Sequence, residues 1–406
     1  MHLAAVTLLT MVSSAAAALS YVPSQRQSVG LWPLPAKFSN GSATLTVDAA
    51  SFAFKLQKPT PTLTAIAKRY EGLIFLHGNK GAAQAGADVK SCSVAVTKTT
   101  EVLSYGMDES YTLEVSADGC VITAGTFVGA NYAMETLSQL VLSDGGALQG
   151  GPRHVNARYT IPDAPWKIED KPTFVYRGLM VDTARHFLPL NALRRQIDAM
   201  SFSKLNTLHW HITDAQSAPL DSTVYPLLKK GAFSEKATYS IADIKALVEY
   251  ARLRGVQILM ELDMPGHNFA WGIGYPELLV NCSAMYPLET EFWTSSFDIS
   301  RGDKLYRWLE KLLKEVTDVL PNALFHIGGD EVQYQCWDTR YDAPAAPPAA
   351  TTPATAPVAC VVGAHSHILS PPQPYDRRVP EAAQHHCGGA VSGIRVPDDE
   401  NSQEAR

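Results

Sequence analysis

Residues Val256–His267 read VQILMELDMPGH. The run Val256–Leu262 is apolar apart from Gln257 and Glu261. Such a run predicts a strand buried on both faces, as in a parallel sheet covered by helices. Its end then turns ionisable, with Glu261, Asp263 and His267. The same change recurs on either side. A strand over Tyr176–Val181 runs into Asp182, Arg185 and His186; one over Thr207–Ile212 carries His209 and His211 and reaches Asp214; one over Leu324–Ile327 carries His326 and reaches Asp330 and Glu331. Helical spacing fills the intervals. Leu193, Ile197 and Met200 mark one helix. Ile244, Leu247, Val248 and Ala251 mark another, with Ser240 and Asp243 placed as a capping box and Gly255 as its stop. Leu305, Trp308, Leu309, Leu312 and Val316 mark a third, ended at Pro321. Strands alternating with helices predict a parallel sheet. Polar residues at the C-terminal ends of parallel strands converge on one crevice in a (β/α) barrel. A single such cluster could be a helix cap or an ion pair between loops; four in succession point to a site.

Asp330 and Glu331 follow Gly328 and Gly329. The glycines permit close backbone approach and left-handed dihedrals. Adjacent acids at a strand end point differently and can hold different protonation states. One, kept protonated by apolar walls, can act as a general acid. Its ionised neighbour can orient a dipole or stabilise positive charge.

Outside this region the character changes. Residues 19–165 read as short strands and turns with one helix, for example the alternating Tyr111–Val115, the turn at Asp118 and Gly119, the strand Cys120–Thr123 and a helix over Asn131–Leu142. This predicts an α+β domain without a catalytic constellation. From Tyr341 on, the last 66 residues hold 10 Pro and 13 Ala without sustained periodicity. Such a composition buries too little apolar surface to offset its ordering entropy, so residues 341–406 are expected to be disordered. The predicted architecture is therefore α/β: a signal peptide over 1–18, the α+β domain over 19–165, a partial (β/α)8 barrel over 166–340 with about four of eight strands, and the tail.

Composition narrows the function classes. Hydrophobic residues make up 46% of the 406 and charged residues 18%, a globular balance. The net charge of −6 argues against a nucleic-acid binder. Apart from a marginal stretch at the N-terminus, no apolar run reaches the ~18 residues that span a bilayer. Leu3–Val12 followed by Ala15–Ala18 reads as a signal-peptide core and cleavage site. That predicts the secretory pathway, with a lysosomal or extracellular destination. In that compartment Asn40 and Asn281 are glycosylation acceptors, and the cysteines read as disulfides, which we pair as Cys92–Cys120 and Cys282–Cys336.

The stretches Arg177–Leu190 (RGLMVDTARHFLPL), Leu205–Leu220 (LNTLHWHITDAQSAPL), Met260–His267 (MELDMPGH) and Phe325–Val332 (FHIGGDEV) resemble the β-N-acetylhexosaminidases of glycoside hydrolase family 20. Leu31–Pro35 and Asp108–Leu113 resemble that family's N-terminal domain, so the likeness runs from Leu31 to Trp337. The resemblance implies hydrolysis of terminal N-acetyl-β-hexosamine residues by a substrate-assisted retaining mechanism, an exception to the usual two-carboxylate scheme. The substrate's own acetamido oxygen attacks the anomeric carbon. Glu331 then matches the general acid/base, and Asp330 the residue that orients the acetamido group. Arg185 matches the arginine that holds sugar hydroxyls, and Asp214 and His267 a pair that tunes the acid. Cys282 and Cys336 match a barrel-loop disulfide. The implied partners are glycans ending in N-acetylglucosamine or N-acetylgalactosamine, with a homodimer in the full-length family form and no metal or cofactor.

Two departures qualify the resemblance. Ala218 stands where the family has Phe after the Gln-Ser pair, and no Trp follows Trp337, although the family's later strands supply the tryptophans that wall the sugar. This reads as a truncated or frame-shifted chain with little or no turnover by itself, so a catalytically inactive relative is the alternative. His209 and His211 on one strand face also suggest a metal-dependent amidohydrolase, a remoter alternative, since that class would carry the pair on its first strand.

Overall fold

The computed structural model describes residues 30–76, 86–143, 157–280, 295–321 and 324–337, together with the backbone of Val361–Gly363. The expected signal peptide, Asn281, Cys282 and the rest of the tail lie outside the described residues.

The N-terminal domain begins with strands β1 (Lys37–Ser39), β2 (Ala43–Val47) and β3 (Ala53–Leu56) and helix α1 (Pro61–Ile74). Strands β4 (Ser91–Val96), β5 (Tyr111–Ser116) and β6 (Gly119–Ala124) lead to helix α2 (Phe127–Leu140), followed by β7 (Leu142–Ser143), β8 (Tyr159–Ala164) and β9 (Trp166–Asp170). Six strands form a mixed sheet in the order β1-β9-β5-β6-β4-β3, and β2-β8-β7 form a second one. The alternation in β5 and β6 buries Leu113, Val115, Cys120 and Ile122 on one face. Cys92 and Cys120 are direct neighbours across β4 and β6 and are bridged by a disulfide. Cys336 is disulfide-bonded as well.

Two boundaries differ from the sequence reading. The sheet extends through β9 to Asp170, five residues past 165, because Trp166 and Ile168 continue its buried face. Helix α2 begins at Phe127, not Asn131, with the Thr126 hydroxyl accepting the Val128 N–H at 3.2 Å. Twelve of its fourteen residues are buried, so its first turn has no polar face to betray a helical period.

In the second domain, strands β10 (Gly178–Asp182) and β11 (Thr207–Thr213) flank helix α3 (Leu190–Phe202). After the short pair β12 (Leu220–Asp221) and β13 (Tyr239–Ser240) come α4 (Ile241–Arg252) and β14 (Gln257–Leu262). Helices α5 (Phe269–Gly274) and α6 (Asp303–Thr317) then lead to β15 (Leu324–His326). Strands β10, β11, β14 and β15 are mutually parallel in that order. This is a partial (β/α) barrel of four parallel strands. The capping box of α4 forms as expected, with Asp243 N–H donating to Ser240 at 3.1 Å and Ser240 N–H to Asp243 at 3.0 Å. The backbone of β16 (Val361–Gly363) pairs antiparallel with β15, in a stretch whose composition carries no strand pattern. The opposite edge, β10, exposes Leu179 and Met180.

The N-terminal domain packs against the end of the barrel where the strands begin. Arg177, just before β10, pairs with Glu109 at 2.8 Å and donates to the Tyr132 hydroxyl at 2.9 Å. Asn206, just before β11, donates to Glu109 at 3.0 Å. Lys204, 2% exposed, donates through Nζ to Asp170 at 2.9 Å, the Tyr111 hydroxyl at 2.8 Å and Thr136 at 3.0 Å. Burial pushes the Lys204 ammonium below its usual value. Burial would raise Asp170, but the charge and hydrogen bond of Lys204 outweigh it and hold the carboxyl low.

Candidate active site

Strand register assembles the site. Asp182 lies opposite His211, His211 opposite Glu261, and Glu261 opposite His326. One row therefore crosses all four strands at their C-terminal ends, away from the N-terminal domain. Asp182 organises the loop after β10: its Oδ1 accepts the N–H groups of Ala184 and Arg185, each at 2.9 Å. Its Oδ2 accepts from Arg185 Nη1 at 2.9 Å, and Arg185 Nη2 reaches Asp214 at 2.8 Å. The guanidinium is thus held by two carboxylates and stays partly exposed.

Asp214 is fully buried and also meets His211 at 2.8 Å and His267 at 3.1 Å. His267 turns its other nitrogen toward Glu331, 3.6 Å away. Glu261 gathers three imidazoles: it contacts His209 and lies 3.1 Å from His211 and 3.2 Å from His326. His209 and His211, the pair behind the amidohydrolase alternative, thus both face one carboxylate. Three groupings bring possible ligand atoms within 4.8 Å of one another: His209, Glu261 and His326; His211, Asp214 and Asp263; Glu261, Asp263 and Asp330.

These contacts set the charges. Burial would raise Asp214, but hydrogen bonds from His211 and His267 hold it well below the usual carboxylate range. Glu261 is likewise held low, its three histidines outweighing burial. Burial would lower His211, but Asp214 and Glu261 raise it to about 10. His267 is raised by its hydrogen bond to Asp214. Asp263 goes the other way: burial raises it to about 6 against the Gly329 N–H and His267, with Asp330 adding to the rise.

The signs define a pH window. His211 contributes stability fully present below its ordinary 6.5 and lost as pH rises through about 10. Asp214 and Glu261 contribute stability present above their ordinary 3.8 and 4.5, lost as pH falls through their lowered values. The Asp263 contribution is present below 3.8 and is lost as pH rises through about 6. The thermal midpoint is therefore expected to peak at about pH 4 to 4.5, where the Glu261 and Asp214 contributions have set in and the Asp263 contribution has only begun to fade, and to fall on both sides. A midpoint flat from about pH 3 to 10 in a calorimetric series would refute this account of the network.

The loop after β15 presents the acid pair. Gly328 and Gly329 have φ of +70° and +118°, and a side chain at Gly328 would collide with the Asp263 carboxylate. Glu331 has φ of +42° and His267 of +57°, left-handed backbone that non-glycine residues adopt at a cost. Asp330 and Glu331 are exposed. The structure thus brings Arg185, Asp214, His267, Asp330 and Glu331 to one end of the sheet. Asn40 is exposed on the N-terminal domain, remote in sequence from this cluster. Ala218 is buried in the barrel's hydrophobic core. The sequence reading assigned no role to Glu261, Asp263 or Asp182; the only available signal was their place at strand ends.

Four parallel strands thus gather an acid pair, an arginine held by two carboxylates and an Asp–His pair at their C-terminal ends. Two family models match the chain: the catalytic domain of glycosyl hydrolase family 20 over residues 174–346, and a beta-acetyl hexosaminidase-like domain over residues 31–140. The chain belongs to glycosyl hydrolase family 20. It is 39% identical over 326 residues to beta-hexosaminidase 1 of Arabidopsis thaliana, covering 76% of this chain and 57% of that protein. It is 34% identical over 348 residues to the beta-hexosaminidase beta subunit of Homo sapiens, covering 82% of this chain and 60% of that one. Among solved structures, a chitobiase of Flavobacterium johnsoniae aligns with a TM-score of 0.62 and 29% identity, covering 76% of this chain and 46% of the other. The chain thus spans somewhat more than half the length of the curated relatives it matches. Among the described residues, no helix is long and apolar enough to cross a membrane.

Proposed function

We propose that the strand-end site removes terminal N-acetyl-β-hexosamine residues, N-acetylglucosamine or N-acetylgalactosamine, from glycans. The substrate's acetamido oxygen attacks the anomeric carbon and displaces the leaving group, giving a cyclic oxazolinium-like intermediate that water opens with net retention. Glu331 donates the proton to the departing glycosidic oxygen and then takes one from the water. Asp330 accepts from the acetamido N–H and stabilises the positive charge that develops. Arg185, braced by Asp182 and Asp214, holds sugar hydroxyls. The reading requires no metal. The observation that carries it is the approach of His267 to Glu331, with buried Asp214 behind the imidazole. That chain of groups couples the acid to a charged reservoir.

The secretory pathway, lysosomal or extracellular, is the location this reading favours, supported by the Cys92–Cys120 disulfide and the exposed Asn40 sequon. A second reading, a family member without turnover, draws support from the exposure of Glu331, whose side chain is 79% accessible, because catalysis gains from a dry pocket. The purified chain is to be assayed with a fluorogenic N-acetyl-β-glucosaminide and the matching β-glucoside. Release from the first and not the second is the expected result. Equal release from both would overturn acetamido participation, and no release from either would favour the inactive reading.

A further inference from the structure

Asp263 has an unusual position in this site. It is fully buried, yet its two oxygens are treated differently. Oδ1 accepts the Gly329 N–H at 3.0 Å and lies so close to Gly328 that no side chain fits there. Oδ2 has no hydrogen-bond partner among the described residues. A buried carboxylate oxygen left bare is costly, whereas a neutral carboxyl carries its own proton there. An oxygen of Asp263 also lies within 4.8 Å of oxygens of Asp330 and of Glu261. Three acids so close cannot all ionise without penalty. Glu261 is already compensated by three histidines. Asp330 is exposed and can be compensated by water. The proton therefore falls to Asp263, the one acid that burial isolates.

We propose that Asp263 is the positioning residue of the acid pair. Through Oδ1 it anchors the turn that presents Asp330 and Glu331, and, protonated on Oδ2, it donates a hydrogen bond to the Asp330 carboxylate. The hydrogen bond fixes the orientation of the Asp330 carboxylate. The second half rests on the reading of Asp330 as the residue that meets the acetamido group. A small rotation of the exposed Asp330 side chain completes the contact. The charged groups facing Asp263 are His211 and Asp214 from the β11 side, Glu261 and His267 from its own strand and loop, and Asp330 from the loop after β15. The imidazoles favour ionised Asp263; burial and Asp330 favour the neutral form and prevail, which agrees with the rise to about 6.

The test uses the full chain labelled with 13C at the aspartate carboxyl carbons, titrated by NMR. One carboxyl is expected to titrate near pH 6, to be absent in Asp263→Asn, and to move down by about one pH unit in Asp330→Asn, the effect of removing one neighbouring charge. A signal that survives in Asp263→Asn, or is unmoved in Asp330→Asn, overturns the pairing. This readout needs no turnover, so it decides the proposal even if the hydrolase reading fails. Where turnover is measurable, Asp263→Ala is expected to lower kcat by about 10²-fold through misplacement of the pair. Asp263→Asn, which keeps both a donor and an acceptor, is expected to restore most of it. Equal losses in the two variants would overturn the positioning role.

Discussion

Replacement of Glu331 by glutamine is expected to lower turnover of a fluorogenic N-acetyl-β-glucosaminide by ~10²–10⁴-fold, the usual worth of general acid–base assistance. Glutamine keeps the shape and a hydrogen-bond donor but cannot deliver a proton to the leaving oxygen. The loss should grow with the basicity of the leaving group, since an alkoxide needs protonation more than an acidic phenol does. It should come without loss of fold, because the Glu331 side chain is 79% exposed and supports no packing. Substrates with phenols of graded acidity, assayed alongside a thermal melt, make the measurement. Unchanged turnover with every leaving group would remove Glu331 from the mechanism.

The second large effect concerns stability. Lys204→Met is expected to cost about 3–5 kcal/mol, the penalty for stranding a buried charge. The ammonium joins the barrel's base to Asp170, Tyr111 and Thr136 of the N-terminal domain. Without it the Asp170 carboxylate keeps, among the described residues, the Tyr111 hydroxyl and the Ala36 N–H. Adding Asp170→Asn to Lys204→Met should recover part of the loss, since the neutral amide needs no counter-charge; contacting residues couple in this way. Urea unfolding of the single and double variants reads both numbers. A loss below about 1 kcal/mol for Lys204→Met would mean that water reaches the cluster.

Much of this architecture was legible locally. Strand β14 is apolar enough to need cover on both faces, and the α4 capping box forms between the two residues whose spacing predicted it. The acid pair and Arg185 were legible because apolar strands have no packing reason to end in charge. The interdomain cluster was not, since Lys204 and Asp170 stand 34 residues apart and Tyr111 93 residues from Lys204, with no shared period. The first turn of α2 was hidden because it is buried all round. Asp263 lay in plain view within the MELDMPGH stretch, but its isolation depends on a glycine turn 66 residues later.

The row Asp182, His211, Glu261 and His326 has a bearing on folding fidelity. Side chains in a strand alternate between faces, so a slip of one residue turns every side chain to the other side. A mispaired β11 would point His211 away from Glu261 and, in the same movement, bury charge among the aliphatic residues that pack between strands and helices. Chemistry and core would be lost together. The polar row thus acts as an alignment check: the register that brings Asp182, His211, Glu261 and His326 into line is also the one that buries the sheet's hydrophobic residues against the helices.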